Sequence, residues 1–86
     1  MRRAARIDNT AKDLIAYAKS LGFDYEPVNG RFDGVLALGP IAICVDWKSP
    51  QGLLTPAQQR MVARGFPIRF ISTPAQLDRL QVELIK

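Results

Sequence analysis

Gly30 to Gln58 reads GRFDGVLALGPIAICVDWKSPQGLLTPAQ, and this stretch decides the fold. Two apolar runs, Gly34 to Leu38 and Ile41 to Val45, flank Gly39-Pro40, a dipeptide that marks a turn. Ser49-Pro50-Gln51-Gly52 breaks the chain again. Thr55-Pro56 then opens a helix, with Pro at its first position. Asp33 stands at the head of the first run, and Asp46 and Lys48 close the second with Trp47 between them. Successive side chains of an extended strand alternate faces. Asp46 and Lys48 therefore share one face, and the neighbouring strand is expected to deliver Asp33 beside them.

Working outward, Phe23 to Val28 reads as a strand, Asn29-Gly30 as a tight hairpin turn and Arg31 to Leu38 as the partner strand. Upstream, Ala11, Leu14, Ile15, Ala18 and Leu21 recur at helical spacing, with Gly22 as the stop. Downstream, the helix from Pro56 runs to about Arg64, Pro67 to Ile71 is a fourth apolar strand, and a last helix from Pro74 carries Leu77, Leu80 and Leu84. The pattern predicts an α/β fold: a mixed four-stranded sheet flanked by helices. An antiparallel meander supplies three strands. A βαβ unit adds the fourth in parallel, through a right-handed crossover.

The chain has 86 residues, twelve Lys and Arg against eight Asp and Glu, one Cys and no His. That suits one domain over residues 1–86, with 1–7 as a flexible basic tail. Without histidine, His-type zinc centres and Ser-His or Cys-His nucleophilic triads are excluded. Cys44 sits within an apolar strand and reads as a small buried hydrophobe. No apolar stretch approaches the ~20 residues of a membrane span, and no signal-peptide core follows Met1 to Arg6. A cytoplasmic location is expected. The net charge of +4 is compatible with phosphate-backbone contacts, for which Arg2, Arg3, Arg6, Arg31 and Arg60 are the candidates.

Two carboxylates on one face can hold Mg²⁺ or Mn²⁺, hard cations that prefer oxygen ligands. Such a cation polarises a phosphoryl oxygen and lowers the pKa of bound water. A lysine beside it can orient that water or neutralise charge developing on phosphate. Asp-x-Lys alone is a short motif that also describes a solvated strand end.

The run from Asp33 through Asp46-Trp47-Lys48 to Leu54-Thr55-Pro56-Ala57-Gln58 resembles the VRR-NUC branch of the PD-(D/E)XK nucleases. That branch places an Asp after a small or turn residue, then an acidic-x-Lys, then a Leu-Thr/Ser-x-x-Gln helix start. Arg6, Asp8 and the helix ending at Gly22 look like the small stand-alone phage and bacterial members, and Gly65 to Ser72 like their returning strand. The resemblance covers most of the chain. Phe32 stands where the family usually has Pro, and Asp46 where it usually has Glu. The resemblance implies a PD-(D/E)XK-like core and an Mg²⁺- or Mn²⁺-dependent endonuclease acting on structured or branched DNA, as a homodimer. Asp33 and Asp46 would hold the metal, joined by the Trp47 backbone carbonyl and by Asp8 from the first helix. Lys48 would position or activate water, and Gln58 would support it.

Bland readings stand beside these. Asp8 before a helix also serves as an N-cap. Thr55-Pro56-Ala57-Gln58 recurs as Thr73-Pro74-Ala75-Gln76, and capping alone explains both copies. The competing function is a nucleic-acid-binding or protein-interaction module of the same fold without catalysis.

Overall fold

The computed structural model describes residues 2–49 and 51–85, with side chains described from Ala11 onward. Three helices and four strands follow in the order α1 (Arg2–Ser20), β1 (Asp24–Pro27), β2 (Gly34–Leu38), β3 (Ile41–Trp47), α2 (Pro56–Ala63), β4 (Ile68–Ile71) and α3 (Pro74–Ile85). The sheet order is β1-β2-β3-β4. β1, β2 and β3 form an antiparallel meander, and β4 lies parallel to β3 after the α2 connection. The mixed four-stranded sheet with flanking helices is thus as the pattern predicts. No helix among the described residues is long and apolar enough to cross a membrane.

The sheet separates two environments. Leu14 and Ala18 of α1 and Leu77 and Leu80 of α3 pack with Leu36, Val45 and Ile71 in one buried cluster. Because strand side chains alternate, Asp46 lies on the opposite face from Val45, together with Ile68, whose register partner is Cys44. Gln58 and Met61 are the buried residues of α2, which covers this second face. Tyr17 Oη donates to Asp78 Oδ1 at 2.6 Å and Gln81 Nε2 to the Leu21 carbonyl at 2.6 Å, tying α1 to α3.

β2 and β3 meet through a two-residue turn, with Leu38 opposite Ile41. Gly39 has φ 63°, which the first central position of a primed turn requires. Pro40 cannot follow it into positive φ. The turn is therefore of type II′, whose twist matches that of the flanking strands.

The first hairpin differs from expectation. A tight Asn29-Gly30 turn would place Val28 opposite Arg31, whereas Pro27 faces Gly34 and Tyr25 faces Leu36. Among the described residues positive φ occurs only at Gly22, Gly39 and Gly65, so Asn29 and Gly30 do not form the left-handed pair of a type I′ turn. Residues 28–33 instead make a wider bend, closed by the Val28 N–H donating to the Asp33 carbonyl at 2.9 Å. In the observed register the Tyr25 ring crosses Gly34 diagonally, so close that a Cβ at position 34 would come within 2.5 Å of it, and the Tyr25 hydroxyl reaches the Asp33 carbonyl. The slip is two residues, and every side chain keeps its face.

α1 spans Arg2–Ser20, so its backbone includes residues 2–7 of the segment expected as a basic tail and carries Asp8 within its length, not at its start. The side chains of Arg2, Arg3, Arg6 and Asp8 lie outside the described residues.

Candidate active site

Asp33 is held by its backbone before its side chain is considered. Its N–H donates to the Val45 carbonyl at 3.1 Å, and its carbonyl accepts from Val28 N–H. Gly34 lies opposite Val45, so one step back Asp33 falls opposite Asp46, on the same face. Asp33 Oδ2 accepts the Trp47 backbone N–H at 2.9 Å. The carboxyl is thereby drawn across the open end of the β2-β3 hairpin. Burial pushes its pKa above the ordinary aspartate range, the Trp47 N–H pulls it back, and the neighbouring Asp46 carboxylate raises it again by charge and by hydrogen bonding.

Asp46 is 7% exposed. Its Oδ2 lies 3.1 Å from Lys48 Nζ, the pairing expected of residues two apart on a strand. Lys48 Nζ also donates to Gln58 Oε1 at 3.0 Å and to the Leu53 carbonyl at 3.2 Å. Three acceptors thus surround an ammonium with three donors. The Lys48 stem runs beside Phe70, with Nζ 5.8 Å from the ring centroid.

Gln58 is 3% exposed and performs both roles that its position suggested. Its backbone N–H donates to Thr55 Oγ1 at 3.2 Å while its Oε1 accepts the Thr55 N–H at 3.1 Å, a complete capping box. The same Oε1 accepts from Lys48. Its Nε2 donates to the Arg31 carbonyl at 2.8 Å, tying the loop before Asp33 to α2. Gln76 repeats the capping alone: its Oε1 accepts from the Ser72 and Thr73 N–H groups.

No family model, curated protein or solved structure matches this chain. The fold brings together Asp33 from just before β2, Asp46 of β3, Lys48 just after it and Gln58 of α2. The Trp47 backbone belongs to the same place. Cys44 and Lys48 donate their N–H groups toward β4, to the Pro67 and Ile71 carbonyls, so the alternating Trp47 backbone faces the β2 side, where its N–H meets Asp33. Its carbonyl points the same way.

The donor set suits a hard divalent cation. Two carboxylates crowd one another, each with one oxygen engaged by a protein donor, and Mg²⁺ is commonly held by one or two carboxylates with water and substrate oxygens completing its shell. Among the described residues no group of three or more His, Cys, Asp or Glu forms a metal cluster. Asp8, the third acid the resemblance implies, has its side chain outside those residues. The side chains of Arg31 and Arg60 are exposed, and neither makes an ion pair among the described residues.

One contributor was not singled out from the sequence. Tyr25 Oη donates to the Asp33 carbonyl at 3.2 Å and accepts from Trp47 Nε1 at 3.1 Å, with the two rings 5.6 Å apart. Trp47 points away from the acids, as strand alternation requires, and buttresses Asp33 from behind through Tyr25. Tyr25 and Trp47 both face the core side of their strands, which is the only trace of this contact in the sequence.

Proposed function

We propose that this chain is a metal-dependent deoxyribonuclease, a VRR-NUC-like member of the PD-(D/E)XK nucleases that hydrolyses phosphodiester bonds in structured or branched DNA. The observation that carries the reading is the Lys48 ammonium held between Asp46 and Gln58 on the face to which Asp33 is also drawn. A lysine locked to a strand carboxylate and to a buried helix-start glutamine is a preorganised donor.

In this reading Asp33 and Asp46 hold Mg²⁺ or Mn²⁺, with the Trp47 carbonyl beside them and Asp8 as the further acid. The cation, when bound, supplies Lewis acidity and a water of lowered pKa. Lys48 exchanges its contact with the exposed Leu53 carbonyl for a phosphoryl oxygen and offsets the charge that develops there. Gln58 keeps the lysine in place during that exchange. A water oxygen bonds to phosphorus as the water gives up a proton to solvent, the ester P–O bond breaks, and the departing oxygen takes up a proton from solvent. Arg2, Arg3, Arg6, Arg31 and Arg60 contact flanking phosphates. The working form is a cytoplasmic homodimer, which sets two sites against two strands.

A second reading, a binding module without catalysis, draws on the two-acid set of the described residues. One experiment separates them. Linear, nicked, flapped and four-way DNA are incubated with Mg²⁺ or Mn²⁺, with EDTA as control. Asp33→Asn and Asp46→Asn should abolish cleavage, and Lys48→Ala should retain metal binding while losing about 10²–10³-fold in turnover. Cleavage at the wild-type rate by the double aspartate variant would overturn the assignment.

A further inference from the structure

Phe32 immediately precedes Asp33 in the chain and packs against Phe66, which follows the end of α2, with ring centroids 6.3 Å apart and planes tilted by 43°. The Arg64 guanidinium lies 5.3 Å from the Phe66 centroid. Both rings are only partly buried and lie outside the buried cluster beneath the other sheet face. Arg64, over Phe66, Arg31, next to Phe32 in the chain, and Arg60 are all exposed, and none is ion-paired among the described residues. Arg60 and Arg64 are four apart and so neighbour one another along α2 and its C-terminal end. The Arg31 carbonyl is fixed to Gln58, which anchors this ridge to the same residue that holds Lys48.

We propose that this ridge seats an unstacked base of a single-stranded DNA segment, so that the strand reaching the acid pair is single-stranded or flapped at that point. Partly exposed aromatic faces interleaved with unpaired cations are what single strands use. Bases stack on the rings whatever their identity, and the arginines follow the backbone. A continuous duplex offers its phosphates but keeps its base faces covered. The ridge would then discriminate by strandedness and not by sequence. This deepens the nuclease reading by naming the form of its substrate.

The test uses the full chain and measures binding apart from cleavage. Labelled (dT)20 and a 20-base-pair duplex are titrated in Ca²⁺ against wild type, Phe32→Leu/Phe66→Leu, which keeps apolar packing and removes the rings, and Arg64→Gln, at an exposed position. Wild type should bind the single strand more tightly. The double variant should lose roughly tenfold or more on (dT)20 with duplex affinity little changed. Arg64→Gln should weaken single-strand binding and lower its salt slope by about 0.7 if it neutralises one phosphate. Equal losses on both DNAs, or none on (dT)20, would overturn the proposal. Should circular dichroism show the double variant unfolded, Arg64→Gln decides: an unchanged single-strand affinity and slope overturns it. Retained strand preference in a protein that cuts no DNA would instead sink the nuclease reading and leave the ridge standing.

Discussion

Lys48 has every donor engaged, by Asp46, Gln58 and the Leu53 carbonyl, while the two carboxylates crowd each other. The site is satisfied on its cationic side and strained on its anionic side. That asymmetry has a measurable pH signature at Asp33, whose carboxyl is held above the ordinary aspartate range by burial first, against the Trp47 N–H, and then by Asp46. A raised carboxyl pKa means that the folded chain keeps a proton which the unfolded chain has released. Its contribution is therefore fully present below the ordinary aspartate value and is lost as pH rises through the raised one. Denaturant midpoints in EDTA, taken from about pH 3 to about pH 7 across the ordinary aspartate value, should fall more across that window in wild type than in Asp33→Asn. Mg²⁺ should flatten the wild-type curve, because the cation favours the ionised form of Asp33. Identical pH slopes in the two proteins would refute the raised Asp33 pKa. The shared face of Asp46 and Lys48 was legible from strand alternation alone. Tyr25 was not, because its contact with the Asp33 carbonyl depends on the β1-β2 register, and the misleading Asn29-Gly30 dipeptide points to a different one.

At the scale of elements, α2 begins where the lysine is anchored. One side chain, Gln58, closes the capping box, receives Lys48 and holds the Arg31 carbonyl. Gln58→Ala should cost about 1–3 kcal/mol, the range for leaving buried partners unsatisfied. Gln58→Glu keeps acceptors for Thr55 and Lys48 but sets an acceptor against the Arg31 carbonyl, so it should fall between alanine and wild type. Urea denaturation checks the order, and an alanine variant as stable as wild type would show that the network contributes nothing. The bounds of α3, Pro74–Ile85, were readable because Thr-Pro capping and leucines at spacings of three and four agree. The bend at 28–33 was not, since it goes with contacts between β1 and the head of β2, the Tyr25 ring over Gly34 and the Tyr25 hydroxyl on the Asp33 carbonyl, which no local pattern reports.

For the whole molecule, the sheet carries two helices on one face and one short helix on the other. Val82 and Ile85 of α3 are 52% and 66% exposed, which suits this helix as the surface through which the proposed homodimer would pair. Light scattering should give about twice the 9.6 kDa chain mass. A monomer mass that stays unchanged on adding DNA would remove the dimer. The parallel placement of β4 followed from its connection through a helix, which no antiparallel neighbour needs. The assignment of helices to sheet faces did not follow, because an apolar stripe states that a helix is covered and not by which side. The Trp47 side chain is met within the chain by Tyr25.

The type II′ turn at Gly39-Pro40 bears on the order in which this molecule assembles. It joins the two strands that bring Asp33 and Asp46 together, and the acids lie at the open end of the hairpin it closes. Hairpins close in about 1–10 μs, whereas the α2 crossover must bring more distant segments together against a larger loop entropy. The carboxylates are then expected to meet before Lys48 has its glutamine, so in the nascent hairpin Lys48, two residues along from Asp46, offsets their crowding unaided, and α2 docking then fixes the lysine in place.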